Sequence, residues 1–182
     1  MTYYGGKELA DAFRTVRKNT IQIAEDIPED KYDFKASPES RTIGQTLAHI
    51  AVGTTFPTMV HGGSRISDMN DLDFQQFFAT LSGEEAKPRN KAAVLALLET
   101  EGDTFAALLE SLPEAVLAEV VRMRPGGDPA SRTRFEMLLS AKEHEMHHRA
   151  QLMVLQRMIG VVPHLTRLMQ ERIARMQTAV KA

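Results

Sequence analysis

His144 and His148 stand four residues apart in a stripe that reads Met137, Ala141, His144, His148, Leu152, Leu155, Ile159. Every interval is three or four residues, the spacing of one helix face. Two imidazoles at that spacing lie one turn above the other. Polar rings on a core-facing surface cost free energy unless something satisfies them. A divalent metal does so, and two helical histidines supply half of its ligands. A metal held this way lowers the pKa of a bound water or thiol and makes a nucleophile near neutral pH.

A third imidazole is within reach of the pattern. Ile43, Leu47, Ile50 and Thr54 line one side of an earlier helix, and His49 shares the other side with Ala48, Val52 and Phe56. That helix is apolar nearly all round, so it reads as buried, and His49 with it. By itself His49 is more often a hydrogen-bonded core histidine than a ligand. With His144 and His148 it completes three imidazoles and an open fourth position, the ligand count of a working metal site. Zinc, nickel, iron and copper all suit imidazole, and the residues do not choose among them. Metal affinity would fall below about pH 6 as the imidazoles protonate. His147 is one position off the pair and reads as a supporting or surface residue. His61 and His164 fall in loop or helix-start positions. Arg41, Arg132 and Arg149 are candidates for holding anionic substrate groups.

The run His144-Glu145-Met146-His147-His148 also satisfies the His-Glu-x-x-His pattern of zinc proteases. There Glu145 would be the general base and Glu171 a downstream ligand. The extended form of that motif is absent, because Gln151 and Val154 stand where glycine and histidine are needed. No strand beside this helix offers an extended peptide a place to lie.

The elements that must position these residues are mostly helical. Leu9, Phe13, Val16, Thr20, Ile23 and Ile27 predict a first helix over 7–26, closed by Pro28. A second starts near Thr42, with Gly53 and Pro57 marking a bend or end. Residues 61–90 form a long mixed connection with a short helix near Phe74 to Phe78. Such length suits a crossover between two parallel helices. A third helix spans 91–112, and Gly102 on its apolar stripe allows close approach of a neighbour. Residues 114–132 are irregular, with a short strand at Val120-Val121. The fourth helix runs over 133–159 with Ser131 or Arg132 near its cap, and a fifth follows Pro163 to about Thr178. The expectation is one all-α domain over residues 1–182: a four-helix bundle with a long crossover between helices 2 and 3, plus a C-terminal helix.

Composition narrows the function classes. The net charge of −2 gives no bias toward nucleic acid or an anionic membrane. Cysteine is absent, which removes disulfides, thiolate ligands and a cysteine nucleophile together. No apolar run reaches the ~18 residues of a membrane span. The first residues lack a signal-peptide pattern, so a cytoplasmic protein is expected.

The segment His144-Glu145-Met146-His147-His148-Arg149-Ala150-Gln151-Leu152 resembles the signature helix of the DinB-like (DinB/YfiT) metal-binding four-helix-bundle superfamily. Arg157-Met158-Ile159-Gly160 and Pro163 also fit. Ser40-Arg41-Thr42-Ile43-Gly44-Gln45-Thr46-Leu47-Ala48-His49-Ile50 resembles the family's second helix, which carries its first histidine. Ala150 departs from the usual glycine, a mild change within a helix. The resemblance implies a metal held by His49, His144 and His148, with zinc or nickel ahead of iron or manganese. It implies a metal-dependent enzyme acting on a small molecule, a thiol-dependent S-transferase or a hydrolase. The thiol would be of low molecular weight, such as bacillithiol or mycothiol. It also implies a homodimer without nucleic-acid contact. The other class that fits is a non-catalytic metal-binding protein linked to stress.

Overall fold

The structure, a computed structural model, describes residues 4–63 and 65–181. α1 (Gly6–Asp26) begins where the Gly5 amide donates to the Glu8 carboxylate at 2.9 Å. A carboxylate there also suits the positive end of the helix. α2 (Ile43–Val52) carries a reciprocal cap: Gln45 N donates to Thr42 Oγ1, and Thr42 N donates to Gln45 Oε1. α3 (Thr55–His61) follows after the break predicted near Gly53. α4 (Phe74–Glu85) lies in the crossover and is longer than expected, extending well past Phe78. α5 (Lys91–Ser111) is capped by Asn90, whose Oδ1 accepts from Ala93 N. One turn of helix, α6 (Glu114–Leu117), precedes a small hairpin. There β1 (Val120–Arg122) pairs antiparallel with β2 (Ser131–Thr133), Val121 opposite Arg132. α7 (Arg134–Met158) and α8 (His164–Lys181) complete the described chain.

Polar ties at the helix ends fix the directions. Lys91 Nζ donates to the carbonyls of Glu25 and Ile27, so α5 starts where α1 stops. The amides of Ile43 and Gly44 bond the carbonyls of Phe34 and Tyr32, and the Tyr32 hydroxyl donates to the Ala24 carbonyl. So α2 starts at that end too, and α2 and α5 run parallel. Leu138 packs with Leu9 and Phe13 at one end of α1, and Leu152 with Ile23 and Ile27 at the other. α7 therefore runs along α1. This is the four-helix bundle with a crossover between its second and third members.

The start of α7 differs from expectation. Thr133, not Ser131 or Arg132, caps α7, its Oγ1 accepting from Glu136 N. Residues 131–133 pair with β1 instead, a partnership no local pattern announces. Gly102 does give close approach, but to a side chain: a Cβ there would come within 2.9 Å of Arg17 Cγ. α8 rests on α1 through His164 to Asn19 and Arg167 to Asp26. Its outer face leaves Leu168, Met169, Ile173 and Met176 exposed. Among the described residues, no helix is long and apolar enough to cross a membrane.

Arg134, fully buried at the head of α7, gathers the start of the crossover. It donates to the carbonyls of Val60, Arg65 and Ile66, to Glu119, and to His61 Nδ1 at 3.3 Å. His61 must be neutral to accept that bond. Burial, and then the Arg134 charge, push its pKa down to about 4. Between pH 6.5 and about 4 the unfolded chain therefore binds a proton that the folded chain refuses. Stability is expected to fall over that window by about 3 kcal/mol from this group, and no further below it. Urea unfolding at pH 7 and pH 4.5 checks this: His61→Gln should show a smaller loss than wild type, and an equal loss refutes it.

Candidate metal centre

His49 projects from α2 toward α7, and His144 and His148 project from successive turns of α7 toward α2. Their Nε2 atoms converge. His49 lies 3.1 Å from both partners, and His144 and His148 are 3.2 Å apart. All three rings are half-buried. Tetrahedral coordination with bonds of about 2.0–2.1 Å sets ligand nitrogens roughly 3.3 Å apart, close to this triangle.

The opposite ring nitrogens show why the triangle is not a hydrogen-bond cluster. His49 Nδ1 meets Glu85 Oε1 at 2.6 Å, and His148 Nδ1 meets Gln151 Oε1 at 2.8 Å. Both partners accept, so each Nδ1 carries the hydrogen and each Nε2 presents a lone pair. At most one hydrogen, on His144, could be shared among three mutual contacts. Added protons are no remedy. Burial first, then the neighbouring rings, pushes His144 down to about 4, and burial lowers His148 too. What the geometry accommodates is a cation accepting three lone pairs.

The α2 break shapes the site. A Cβ at Gly53 would stand 3.2 Å from His144 Cε1, so glycine lets the ring close on the helix end. The carbonyls released by the break are answered from elsewhere: Ile50 by Arg17 Nη2 and Ala51 by Thr54 Oγ1. Glu85, from the end of α4, also holds Arg41, whose Nη2 is 3.2 Å away.

Glu145 does not join the histidines. It is buried and faces α1, where Arg17 Nε and Nη2 and Thr20 Oγ1 donate to its carboxylate at 2.7–3.1 Å. Every oxygen is engaged, which leaves no general base for the protease pattern. His147 is exposed and meets Gln151 Nε2. His61 and His164 bond Arg134 and Asn19, away from the cluster. Arg149 is half-buried beside His148. Sequence reasoning missed Glu85 and Arg17, which come from 36 and 128 residues away from their partners.

Two cavities flank the cluster. One, about 580 Å³, has Ser40, Arg41, Thr46 and Gln151 beside His148. The other, about 470 Å³, is aromatic and thioether-lined and reaches His144.

The model of the DinB superfamily matches residues 12–152, a stretch that runs from within α1 to within α7 and includes every histidine of the cluster. The chain belongs to the DinB superfamily. Solved DinB-like structures share its fold. A DinB-like protein from Bacillus subtilis (YjoA) is 22% identical, with a TM-score of 0.62 over 84% of this chain and 92% of that one. YfiT from Bacillus subtilis is described as a probable metal-dependent hydrolase with an unusual four-helix bundle topology. It is 16% identical, with a TM-score of 0.65 over 88% of this chain and 91% of its own. A mycothiol-dependent maleylpyruvate isomerase is 12% identical, with a TM-score of 0.59 over 84% of this chain and 63% of that chain. No curated protein gives a significant sequence match.

Proposed function

We propose that His49, His144 and His148 hold a divalent transition metal through Nε2, and that the chain is a metal-dependent enzyme acting on small molecules. Zinc or nickel is the metal proposed, and three imidazoles with an open position suit either. The observation that carries the reading is the triangle of Nε2 atoms with the hydrogens of His49 and His148 held on Nδ1 by Glu85 and Gln151. The metal would supply an electrophilic centre that favours the anion of a thiol or water at its remaining position. Glu85 and Gln151 fix the ring tautomers and orientations. The half-buried setting limits water, and the two cavities give two reactants separate approaches.

S-transfer from a low-molecular-weight thiol, or hydrolysis, follows from an anion formed between two cavities. The metal-dependent and mycothiol-dependent descriptions of structural neighbours support that choice. A buried, fully bonded Glu145 speaks against the protease. The two cavities beside the histidines favour an enzyme over a non-catalytic metal-binding protein linked to stress.

Metal content of untagged protein tests the reading. About one transition metal per chain is expected, and folded His49→Ala should lose it. Thiol consumption with an alkyl halide and ester hydrolysis then separate the two reactions. A wild type that takes up neither zinc nor nickel, or a mutant that keeps its metal, overturns the site.

A further inference from the structure

The aromatic wall of α4 is unlike the other apolar faces of the bundle. No residue of α4 is buried, yet it carries Phe74, Phe77 and Phe78. Phe74 and Phe78 sit one turn apart with ring centroids at 5.9 Å, and Phe56 of α3 closes on Phe74 and Phe77 at 6.2 and 5.5 Å. Phe56, Phe74 and Phe78 border the 470 Å³ cavity, with Phe77 packed behind them on Phe56 and Phe78. The volume lies within the range of small-molecule sites. Across from them α7 contributes Met137, Ser140, Ala141 and His144. The seven steps from Met137 to His144 rise about 10 Å, which sets the length of the cavity along the helix. Methionines on such a wall adapt to a ligand's shape.

Polar groups along the middle are few: Ser140 Oγ gives its hydrogen to the Met137 carbonyl, and His61 Nδ1 accepts from Arg134. At one end is His144. At the other, on β2, is Arg132, whose guanidinium finds a single acceptor among the described residues, the Asp128 carbonyl at 3.5 Å. Arg124 adds positive charge there, its guanidinium 4.8 Å over the Phe74 ring. A cavity with an apolar middle and cations at the far end matches one kind of ligand.

We infer that this cavity binds an elongated apolar molecule bearing an anionic group. The apolar body lies between α3, α4 and α7, the anion meets Arg132, and the other end is delivered beside His144. That a reaction follows rests on the proposed metal site; the binding does not.

The probe is 6-phenylhexanoate, compared with 6-phenylhexan-1-ol, titrated calorimetrically into the protein as purified, with metal content measured on every sample. One-to-one binding of the acid is expected. Arg132→Gln should weaken the acid about tenfold or more, the size of a lost charge-assisted bond, and leave the alcohol within about twofold. Ala141→Phe should weaken both with metal content unchanged. If that variant misfolds, Phe78→Asp, at a position 51% exposed, puts a repelling charge at the rim and should weaken the acid. Acid binding in wild type that is indifferent to these substitutions overturns the inference, as does no binding at millimolar concentration. If the acid is lost with His49→Ala but not with Arg132→Gln, its carboxylate sits at the metal, and the assigned orientation is wrong. If the acid binds as expected while no metal is found, the cavity stands and the catalytic reading fails.

Discussion

Glu145→Ala is expected to cost the fold about 3–5 kcal/mol, the penalty for leaving one member of a buried ion pair alone. Arg17 would remain buried without its carboxylate, and Thr20 would lose its acceptor. Arg17 also donates to the Leu98 carbonyl at 2.7 Å and to the Ile50 carbonyl at 3.3 Å. It thus ties α1 to α5 and to the broken end of α2, one residue beyond His49. A loosened Arg17 should therefore disturb the metal site as well as the core. Replacing both partners, Arg17→Met with Glu145→Leu, should be far milder than either single change, because no charge is stranded. Denaturant unfolding of the two singles and the double settles it. A stable, fully folded Glu145→Ala that has lost only activity would instead support a general base.

Glu145 also shows where a linear motif misleads. The His-Glu-x-x-His pattern is carried by five consecutive residues, but a helix turns each successive side chain by about 100°. His144 and His148 share a face, whereas Glu145 is rotated onto the Leu138–Leu152 side that packs on α1. Its true partner lies 128 residues away, and no local spacing can announce that. By contrast, the histidine pair was legible because both imidazoles sit on one helix. His49 was legible because an apolar helix with a single imidazole leaves few other places for it. Glu85 was not, since α4 has no buried residue and hence no stripe to orient it. The crossover could be inferred from its length, but its path along α2 depends on contacts such as Glu85 with His49. The Val120 strand was readable in outline. Its pairing to residues 131–133 displaced the α7 cap to Thr133.

Removing the metal is expected to lower the melting temperature of wild type by roughly 8–16 °C. Binding to the folded state alone adds about 4 kcal/mol when free metal exceeds its dissociation constant a thousandfold. A chain of this length moves about 2–4 °C per kcal/mol. Three convergent lone pairs from α2 and α7 make a metal-free cluster repulsive, so the ion ties the two helices together. Chelation should therefore leave His144→Ala nearly unmoved, because two imidazoles retain little affinity. Glu85→Gln should fall between them. It keeps an oxygen for His49 Nδ1 but loses the charge, and loss of such a supporting partner costs about 10–100-fold in affinity. Melting curves with and without chelator, run on the three proteins side by side, give the order directly. A wild type indifferent to chelator after zinc loading, or a His144→Ala protein that shifts as far as wild type, would mean that the cluster does not bind the ion that stabilises the fold.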